Sequence, residues 1–187
     1  MGLNSLQFLL YTLINVYSFV VILRAWFQFS RVDFYNPLSQ SIVKFTHPIL
    51  APMQKMLPTF KSINTAALVL CILLGTAKYP LISLLGSEQI AAAPLTYVFI
   101  GLLHSLRTLG ETIIYVLFIQ AILSWFNRGQ NPLQYTLYQL TEPLLNPIRR
   151  ILPNTGMIDF SPMLLAFILF YGNRVMYDIA PILWQFA

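Results

Sequence analysis

Four long apolar stretches, separated by shorter and more polar segments, define the hydropathy pattern of this 187-residue chain. Each is about 20 residues long or longer, which is the length that an α-helix needs to cross a bilayer. They run from about Leu6 to Phe27, Thr65 to Leu85, Leu95 to Phe126 and Pro162 to Trp184. The pattern predicts four membrane-spanning helices, with caps from Asn64 for the second and from Asp159 or Ser161 for the fourth.

Prolines recur at the same spacing in two connecting segments. One segment joins the first apolar stretch to the second, and the other joins the third to the fourth. Pro37, Pro48, Pro52 and Pro58 lie 11, 4 and 6 residues apart, and the spacing recurs 95 positions later at Pro132, Pro143, Pro147 and Pro153. Other identities keep this phase, among them Thr46 with Thr141. Because a proline lacks a backbone donor and restricts the residue before it, two copies of the spacing indicate two copies of one backbone design. The chain is predicted to be an internal duplication.

The duplication divides the chain into two units. Residues 1–87 form the first repeat, residues 88–101 lead into the third span, and residues 102–187 form the second repeat. Two spans per repeat return the chain to its starting side, so the repeats are predicted to be parallel and not inverted. The predicted fold is an all-α membrane protein with four transmembrane helices, in which each repeat reads span, proline-rich hairpin, span.

The proline-rich hairpins are predicted to form amphipathic helices. Asn36 and Asn131 are suited to cap them, since each precedes a proline at the first helical position. Apolar residues recur at helical spacing at Leu133, Leu137, Leu140 and Leu144, and more weakly at Leu38, Ile42, Phe45 and Ile49. Pro48 and Pro143 are expected to end or kink these helices, with a shorter element after each. Such helices lie along the membrane surface; the alternative is that they only fix the loop geometry.

Composition excludes a soluble protein and gives little support to catalysis. Only 9% of the residues are charged and 57% are hydrophobic, whereas soluble domains carry about 25% charged residues. Cys71 is the only cysteine, and His47 and His104 lie far apart. No nucleophile, phosphate-binding or metal-ligand motif is present in the sequence. We therefore expect no enzymatic activity, no cofactor and no bound metal.

Positive charge predicts the orientation of the spans. Eight of the eleven Lys and Arg residues lie in or beside the two proline-rich segments, and the net charge is +5. These segments should face the cytoplasm of a bacterial inner membrane, with both termini periplasmic. The expected partners are anionic lipid headgroups, a membrane protein or a second copy of the chain, and not nucleic acid. The residues predicted to form this lipid or partner surface are Lys44, Lys55, Glu142, Arg149, Arg150 and Asp159.

Five ionisable residues fall inside the predicted spans. They are Lys78, Arg107, Glu111, Arg174 and Asp178. At a rise of 1.5 Å per residue they lie about 21–28 Å from the predicted cytoplasmic ends, in a single layer. Charge within a membrane is costly, so one interpretation is a polar cluster that lines a cavity or an ion path. The alternative is that long side chains reach the outer headgroups, helped by pairing at i and i+4.

The most specific motifs lie in the second repeat. They are Leu123-Ser124-Trp125-Phe126, Asn131-Pro132, Thr141-Glu142-Pro143-Leu144-Leu145, the run from Pro147 to Pro153 and Ile158-Asp159-Phe160-Ser161-Pro162. With them the chain resembles the YggT family of bacterial membrane proteins and the related YlmG-type proteins, over nearly its whole length. The first repeat departs from the motifs: His47 replaces Glu142, Gln54-Lys55 replaces the arginine pair and Asn64 replaces Asp159. A site built from the motif residues is therefore expected in the second repeat.

The resemblance implies cellular roles but no catalytic reaction. It associates the chain with osmotic and potassium adaptation, or with the organisation of membranes at division sites, and it transfers no catalytic residue. Two hypotheses follow. The first is a non-enzymatic protein whose basic hairpins organise lipid or partner proteins at the cytoplasmic face. The second is an oligomeric channel or transport modulator that uses the layer of intramembrane charges.

Overall fold

The computed structural model describes residues 4–32, 36–60, 62–85, 93–126, 132–152 and 159–187. Apart from one isolated bridge between Phe60 and Ile63, the regular structure of these residues is helical. The helices are α1 (Ser5–Phe29), α2 (Pro37–Met56), α3 (Thr65–Leu84), α4 (Pro94–Phe126), α5 (Pro132–Ile151), α6 (Ser161–Ile179) and α7 (Pro181–Phe186). The prediction of an all-α fold is confirmed.

Among the described residues, three helices are long and apolar enough to cross a membrane. They are α1, α3 and the Pro94–Ser124 part of α4. The fourth predicted span differs from its prediction, because the helix that begins at Ser161 ends at Ile179 and α7 follows from Pro181. Pro181 has no backbone N–H to continue the ladder, and Ala180 before it has the non-helical angles φ −137° and ψ 61°. Arg174 and Asp178 make this shorter helix more polar than the other three.

The caps predicted for two helices are confirmed. The Asn64 carboxamide oxygen accepts the Ala67 N–H at 3.1 Å at the start of α3, and the Asn36 oxygen accepts the Leu38 N–H at 3.0 Å at the start of α2. These bonds satisfy backbone donors that have no partner within the first helical turn. Asn131, the cap predicted for α5, lies outside the described residues, as do Pro153 and Ile158.

The helices of the two proline-rich segments, α2 and α5, continue through their internal prolines. Pro48 and Pro52 lie inside α2, and Pro143 and Pro147 lie inside α5. The expectation that a helix ends at Pro48 or Pro143 and a shorter element follows is wrong, since each helix continues for eight residues beyond that proline. All four prolines face outward. Tertiary packing of the opposite face holds each helix together despite the lost hydrogen bonds.

The buried faces of α2 and α5 only partly match the predicted stripes. In α5, Leu137 and Leu140 are buried, and Leu133 and Leu144 pack against the same core, as predicted. In α2 the buried residues are Ser39, Ile42, Thr46 and Leu50. Phe45 and Ile49, which the sequence places on one apolar stripe with Leu38 and Ile42, are exposed. The face of α2 that packs on the bundle is therefore rotated toward smaller and more polar side chains.

Helix contacts place α2 and α5 at the same end of the bundle. The Asn36 side chain at the start of α2 donates to Thr136 in α5, and Ser30 at the end of α1 donates to the Leu140 carbonyl at 3.4 Å. At the other end, Asn4 donates to the Leu85 carbonyl at 3.1 Å, which makes α1 and α3 antiparallel. The core between these ends is formed mainly by α1, α3 and α4.

Two glycines allow α3 and α4 to approach closely. A Cβ built on Gly101 would meet Thr76 Oγ1, and it would lie 2.5 Å from the Ile72 carbonyl oxygen and 2.9 Å from the Thr76 backbone nitrogen. A Cβ on Gly75 would lie 2.6 Å from His104 Cβ. Small residues at helix contacts are the usual means by which membrane helices pack without a hydrophobic driving force between them.

Candidate functional site

Arg149 joins the end of α5 to the segment that precedes α6. Its guanidinium contacts Glu142, at 2.8 Å between Nη1 and Oε2, and Asp159, at 2.8 Å between Nε and Oδ2. The other Asp159 oxygen accepts the Ser161 N–H at 2.9 Å, which fixes the start of α6. This ion triad (Glu142, Arg149 and Asp159) therefore links three of the residues that the sequence predicts as a surface, and it uses them to connect two helices.

Contacts within the triad favour the charged forms of Arg149 and Asp159. Hydrogen bonds to Glu142 raise the pKa of the Arg149 guanidinium, against partial burial and with help from Asp159. Partial burial opposes ionisation of Asp159, but the bonds from Ser161 and Arg149 outweigh it and lower the pKa of this carboxyl below its usual value. A carboxylate with a lowered pKa stabilises the fold at neutral pH, and this stabilisation is lost as the pH falls through that lowered value.

Three other cations of the predicted surface project outward. Lys44, Lys55 and Arg150 are exposed, whereas Arg149 beside them is half-buried. The adjacent arginines therefore differ: Arg149 belongs to the ion triad and Arg150 faces outward. Of the residues predicted to form this surface, these three outward cations, which we call the basic face, are available to an external partner.

Lys78 is fully buried between α1, α3 and α4. Its ammonium donates to the Ala187 backbone oxygen at 2.9 Å and lies 3.4 Å from His104 Nδ1. His104 Nε2 lies 3.1 Å from the Ser18 hydroxyl, so a polar chain crosses from α3 to α1. The absence of a side chain at Gly75 provides the space for the imidazole. A buried lysine is costly in an apolar environment, and Lys78 is therefore a candidate functional residue.

Arg107 and Glu111 pair on α4 beside this chain. Arg107 Nε donates to Glu111 Oε1 at 2.9 Å, and its Nη1 donates to the Trp184 carbonyl at 3.0 Å. A cavity of about 510 Å³ lies against both residues and His104, with Tyr11 and Asn15 of α1 on its opposite side. Lys78, Arg107 and Glu111 are thus brought into one region.

Arg174 and Asp178 form a separate pair. They approach to 3.5 Å on α6, and their side chains are 74% and 62% exposed. Neither lines the cavity beside His104. Of the five residues predicted to form one intramembrane layer, three lie together and two face outward on another helix.

Comparison with known proteins identifies the family. The sequence matches CCB3/YggT twice, over residues 3–85 and 99–180. The chain belongs to the CCB3/YggT family. Its two matching ranges are two family units in tandem, as the duplication predicts.

Several bacterial proteins are similar to the chain over most of their length. An uncharacterized protein of Haemophilus influenzae is 46% identical over 187 residues, which covers 100% of this chain and 99% of that protein. An uncharacterized protein of Vibrio alginolyticus is 40% identical, covering 97% and 98%. The uncharacterized protein YggT of Escherichia coli K12 is 42% identical, covering 91% and 88%. No solved structure matches the chain.

The two CCB3/YggT units use different chemistry at equivalent positions. In the first unit Asn64 stands at the place of Asp159, and its side chain donates to Gln28 at 2.9 Å. The buried Arg24 instead joins α1 to α2, donating to Thr46 Oγ1 at 2.7 Å and to the Val43 carbonyl at 3.2 Å.

Sequence reasoning missed three of these contributors: Arg24, His104 as a neighbour of Lys78, and α7. A polar residue facing the core of an apolar helix is the signal that could have identified the first two.

Proposed function

We propose that this protein is a non-enzymatic component of a bacterial inner membrane that binds anionic lipid at the cytoplasmic face. It spans the bilayer four times, as two parallel repeats in which α6 is the fourth span, and both termini are periplasmic. The helices α2 and α5 lie in the cytoplasmic interface and carry the basic face. By concentrating anionic lipids there, the protein organises the membrane around itself or a membrane protein partner.

The single observation that carries this proposal is a second apolar stripe on α2. Phe45, Ile49 and Met56 are 73%, 45% and 84% exposed, and Pro48 and Pro52 are exposed between them. The spacing of these five residues places them on one side of a helix, beside the buried face that contains Leu50. A helix with one face on its own protein and another apolar face uncovered is suited to the boundary between headgroups and acyl chains.

The basic face and the prolines agree with an interfacial position. Lys44 and Lys55 lie on the side of α2 that is opposite to the buried face, where they meet headgroups or water. Anionic headgroups attract such residues by about 1 kcal/mol for each charge. The internal prolines remove backbone donors and leave carbonyl oxygens without a helical partner. Water and headgroups satisfy such oxygens at the interface, whereas the hydrocarbon layer does not.

We expect the basic face to retain anionic lipid on the purified protein. Wild type and a triple variant, Lys44→Gln with Lys55→Gln and Arg150→Gln, are extracted from vesicles of equal phosphatidylethanolamine and phosphatidylglycerol. Phospholipid is counted by mass spectrometry. The triple variant should retain less than half of the phosphatidylglycerol of wild type. Arg174→Gln, an exposed cation on α6, is the matched control and should retain all of it. Equal retention in wild type and the triple variant, or equal loss in the control, would overturn the proposal.

A second candidate is ion transport, which the cavity beside His104, Arg107 and Glu111 favours. Ionisable groups around a cavity at membrane depth are typical of ion pathways. Loading the same vesicles with potassium separates the two functions: the lipid-binding function predicts no efflux above protein-free vesicles. Potassium efflux that is lost in Glu111→Gln and kept in the triple variant would instead support transport.

A further inference from the structure

A groove of about 710 Å³ separates the middle of α4 from the middle of α6. Its volume is in the range of sites that hold small molecules. The groove lies along the sides of two helices, in the part of the bundle that faces acyl chains if these helices span the bilayer. The basic face lies elsewhere, on α2 and α5. The occupant of the groove is therefore a separate question from the proposed function.

The charged and amide side chains of the groove lie at one end, among apolar residues such as Leu106 and Met176. Ile113, Ile114, Ile168 and Leu169 line the end nearer to α5. Arg107, Glu111, Asn173 and Trp184 line the end nearer to α7, where Trp184 donates to the Asn173 carboxamide oxygen at 2.9 Å. A phospholipid has a matching distribution of polarity, with a polar headgroup at one end and acyl chains at the other.

Two glycines face the open space of the groove. Gly110 on α4 and Gly172 on α6 both line it, and a Cβ built on either would meet no heavy atom within 4 Å. Gly75 and Gly101 differ, because a Cβ on either would collide with the neighbouring helix. The glycines of the groove therefore make room for something other than the helices described here.

We propose that this groove binds one aminophospholipid, a lipid whose headgroup carries a phosphate and a primary ammonium. Arg107 meets the phosphate and Glu111 meets the ammonium, while an acyl chain lies over Gly110 and Gly172. Glu111 is 46% exposed at its side chain, so its carboxylate is accessible to a second cation besides Arg107. An anionic lipid without an ammonium pairs with Arg107 alone and places its negative charge beside Glu111. Charge complementarity therefore selects the zwitterion.

Trp184 provides a probe inside the groove. In a Trp26→Phe and Trp125→Phe background it is the only tryptophan of the chain. It lies at the polar end of the groove, so lipids brominated at the top of the acyl chain, next to the headgroup, quench it at short range. The protein is reconstituted in phosphatidylcholine vesicles that contain a minor fraction of either brominated phosphatidylethanolamine or brominated phosphatidylglycerol. We expect at least about twofold stronger quenching by the ethanolamine lipid.

Two variants test the site separately. Gly110→Leu with Gly172→Leu fills the groove and should reduce both quenching constants to one common value. Glu111→Gln removes the acceptor for the ammonium and should abolish the preference for the ethanolamine lipid. Asp178→Asn, an exposed carboxylate outside the groove, is the control for Glu111→Gln and should keep the preference. Circular dichroism and monodisperse elution confirm folding, and Glu111→Gln decides the matter if the leucine variant does not fold.

The outcomes distinguish this site from the proposed function. Equal quenching by the two lipids in the parent protein, or stronger quenching by phosphatidylglycerol, would overturn the proposal. A preference that survives Glu111→Gln or the leucine pair would overturn it as well. None of these variants changes Lys44, Lys55 or Arg150, so retention of phosphatidylglycerol on the basic face is measured independently.

Discussion

Gly101→Ala is expected to destabilise the protein strongly, although alanine is the better helix former. The added methyl carbon would lie 2.5 Å from the Ile72 carbonyl oxygen and 2.9 Å from the Thr76 nitrogen, and backbone atoms cannot rotate away. The helices α3 and α4, which share the most extensive contact between helices described here, must therefore move apart. Overpacking of this kind costs about 1–3 kcal/mol. For a chain of this length, that lowers the melting temperature by roughly 2–12 °C.

Gly110→Ala is the matched control on the same helix. A Cβ at Gly110 meets no atom within 4 Å, so only the gain in helix propensity acts, and this is about 0.5–1 kcal/mol. Thermal unfolding in one detergent should show opposite signs for the two variants: a lower melting temperature for Gly101→Ala and an equal or higher one for Gly110→Ala. Equal effects of the two substitutions would contradict the close packing of α3 on α4.

Arg149→Glu is expected to separate α5 from the start of α6. The variant places a third carboxylate beside Glu142 and Asp159, which now lie 2.8 Å from the guanidinium. The three side chains of the ion triad are 26–43% exposed, so solvent screens the repulsion and reduces its cost. After that discount we expect a fall in melting temperature of about 5 °C, which corresponds to roughly 2 kcal/mol. Thermal unfolding in detergent measures it.

Arg150→Glu is the control for this change, because the neighbouring arginine is exposed and takes no part in the triad. It should leave the melting temperature within about 1 °C of wild type, as surface substitutions usually do, while it reduces the retention of anionic lipid. Exchanging charges, with Glu142→Arg and Arg149→Glu together, should restore part of the loss. If Arg149→Glu and Arg150→Glu unfold at the same temperature, the triad does not hold the two helices together.

Helix starts and the extent of the third apolar stretch were predictable from the sequence. Asn64 and Asn36 were identified as caps because a side-chain oxygen before a helix satisfies local donors. The third apolar stretch, from Leu95 to Phe126, corresponds closely to α4. Such features depend on residues that are neighbours along the chain. They can be predicted without knowledge of the tertiary structure.

Features that depend on tertiary packing were not predictable in the same way. Pro48 and Pro143 were expected to end or kink their helices, but both helices continue past these prolines. On the opposite face of each helix, Thr46 or Thr141 is buried against the bundle. Phe45 and Ile49 were grouped with Ile42 on one apolar stripe, but only Ile42 packs on the bundle. Periodicity identifies an apolar face and not what covers it. The break at Ala180, in contrast, had a local signal in Pro181.

The candidate site was predicted as a set of residue types but not as contacts. Arg149, Glu142 and Asp159 were chosen from the motifs, yet spacing alone did not show that they bind each other. Arg174 and Asp178 were grouped with Lys78 by depth, although they lie on a different helix and face outward. Depth along a helix is set by sequence position, whereas the direction of a side chain also depends on how the helix is rotated in the bundle.

The central claim is that the uncovered stripe of α2 lies against the bilayer. Nitroxide labels are attached, in a Cys71→Ser background, through Phe45→Cys, Ile49→Cys and Met56→Cys, and for comparison through Lys44→Cys and Lys55→Cys. Power-saturation electron paramagnetic resonance in vesicles then measures their accessibility to oxygen and to a water-soluble nickel chelate. The account predicts that oxygen reaches the stripe labels better than the chelate does, with the reverse order at the two lysine positions. Equal access of the chelate to both sets would contradict it.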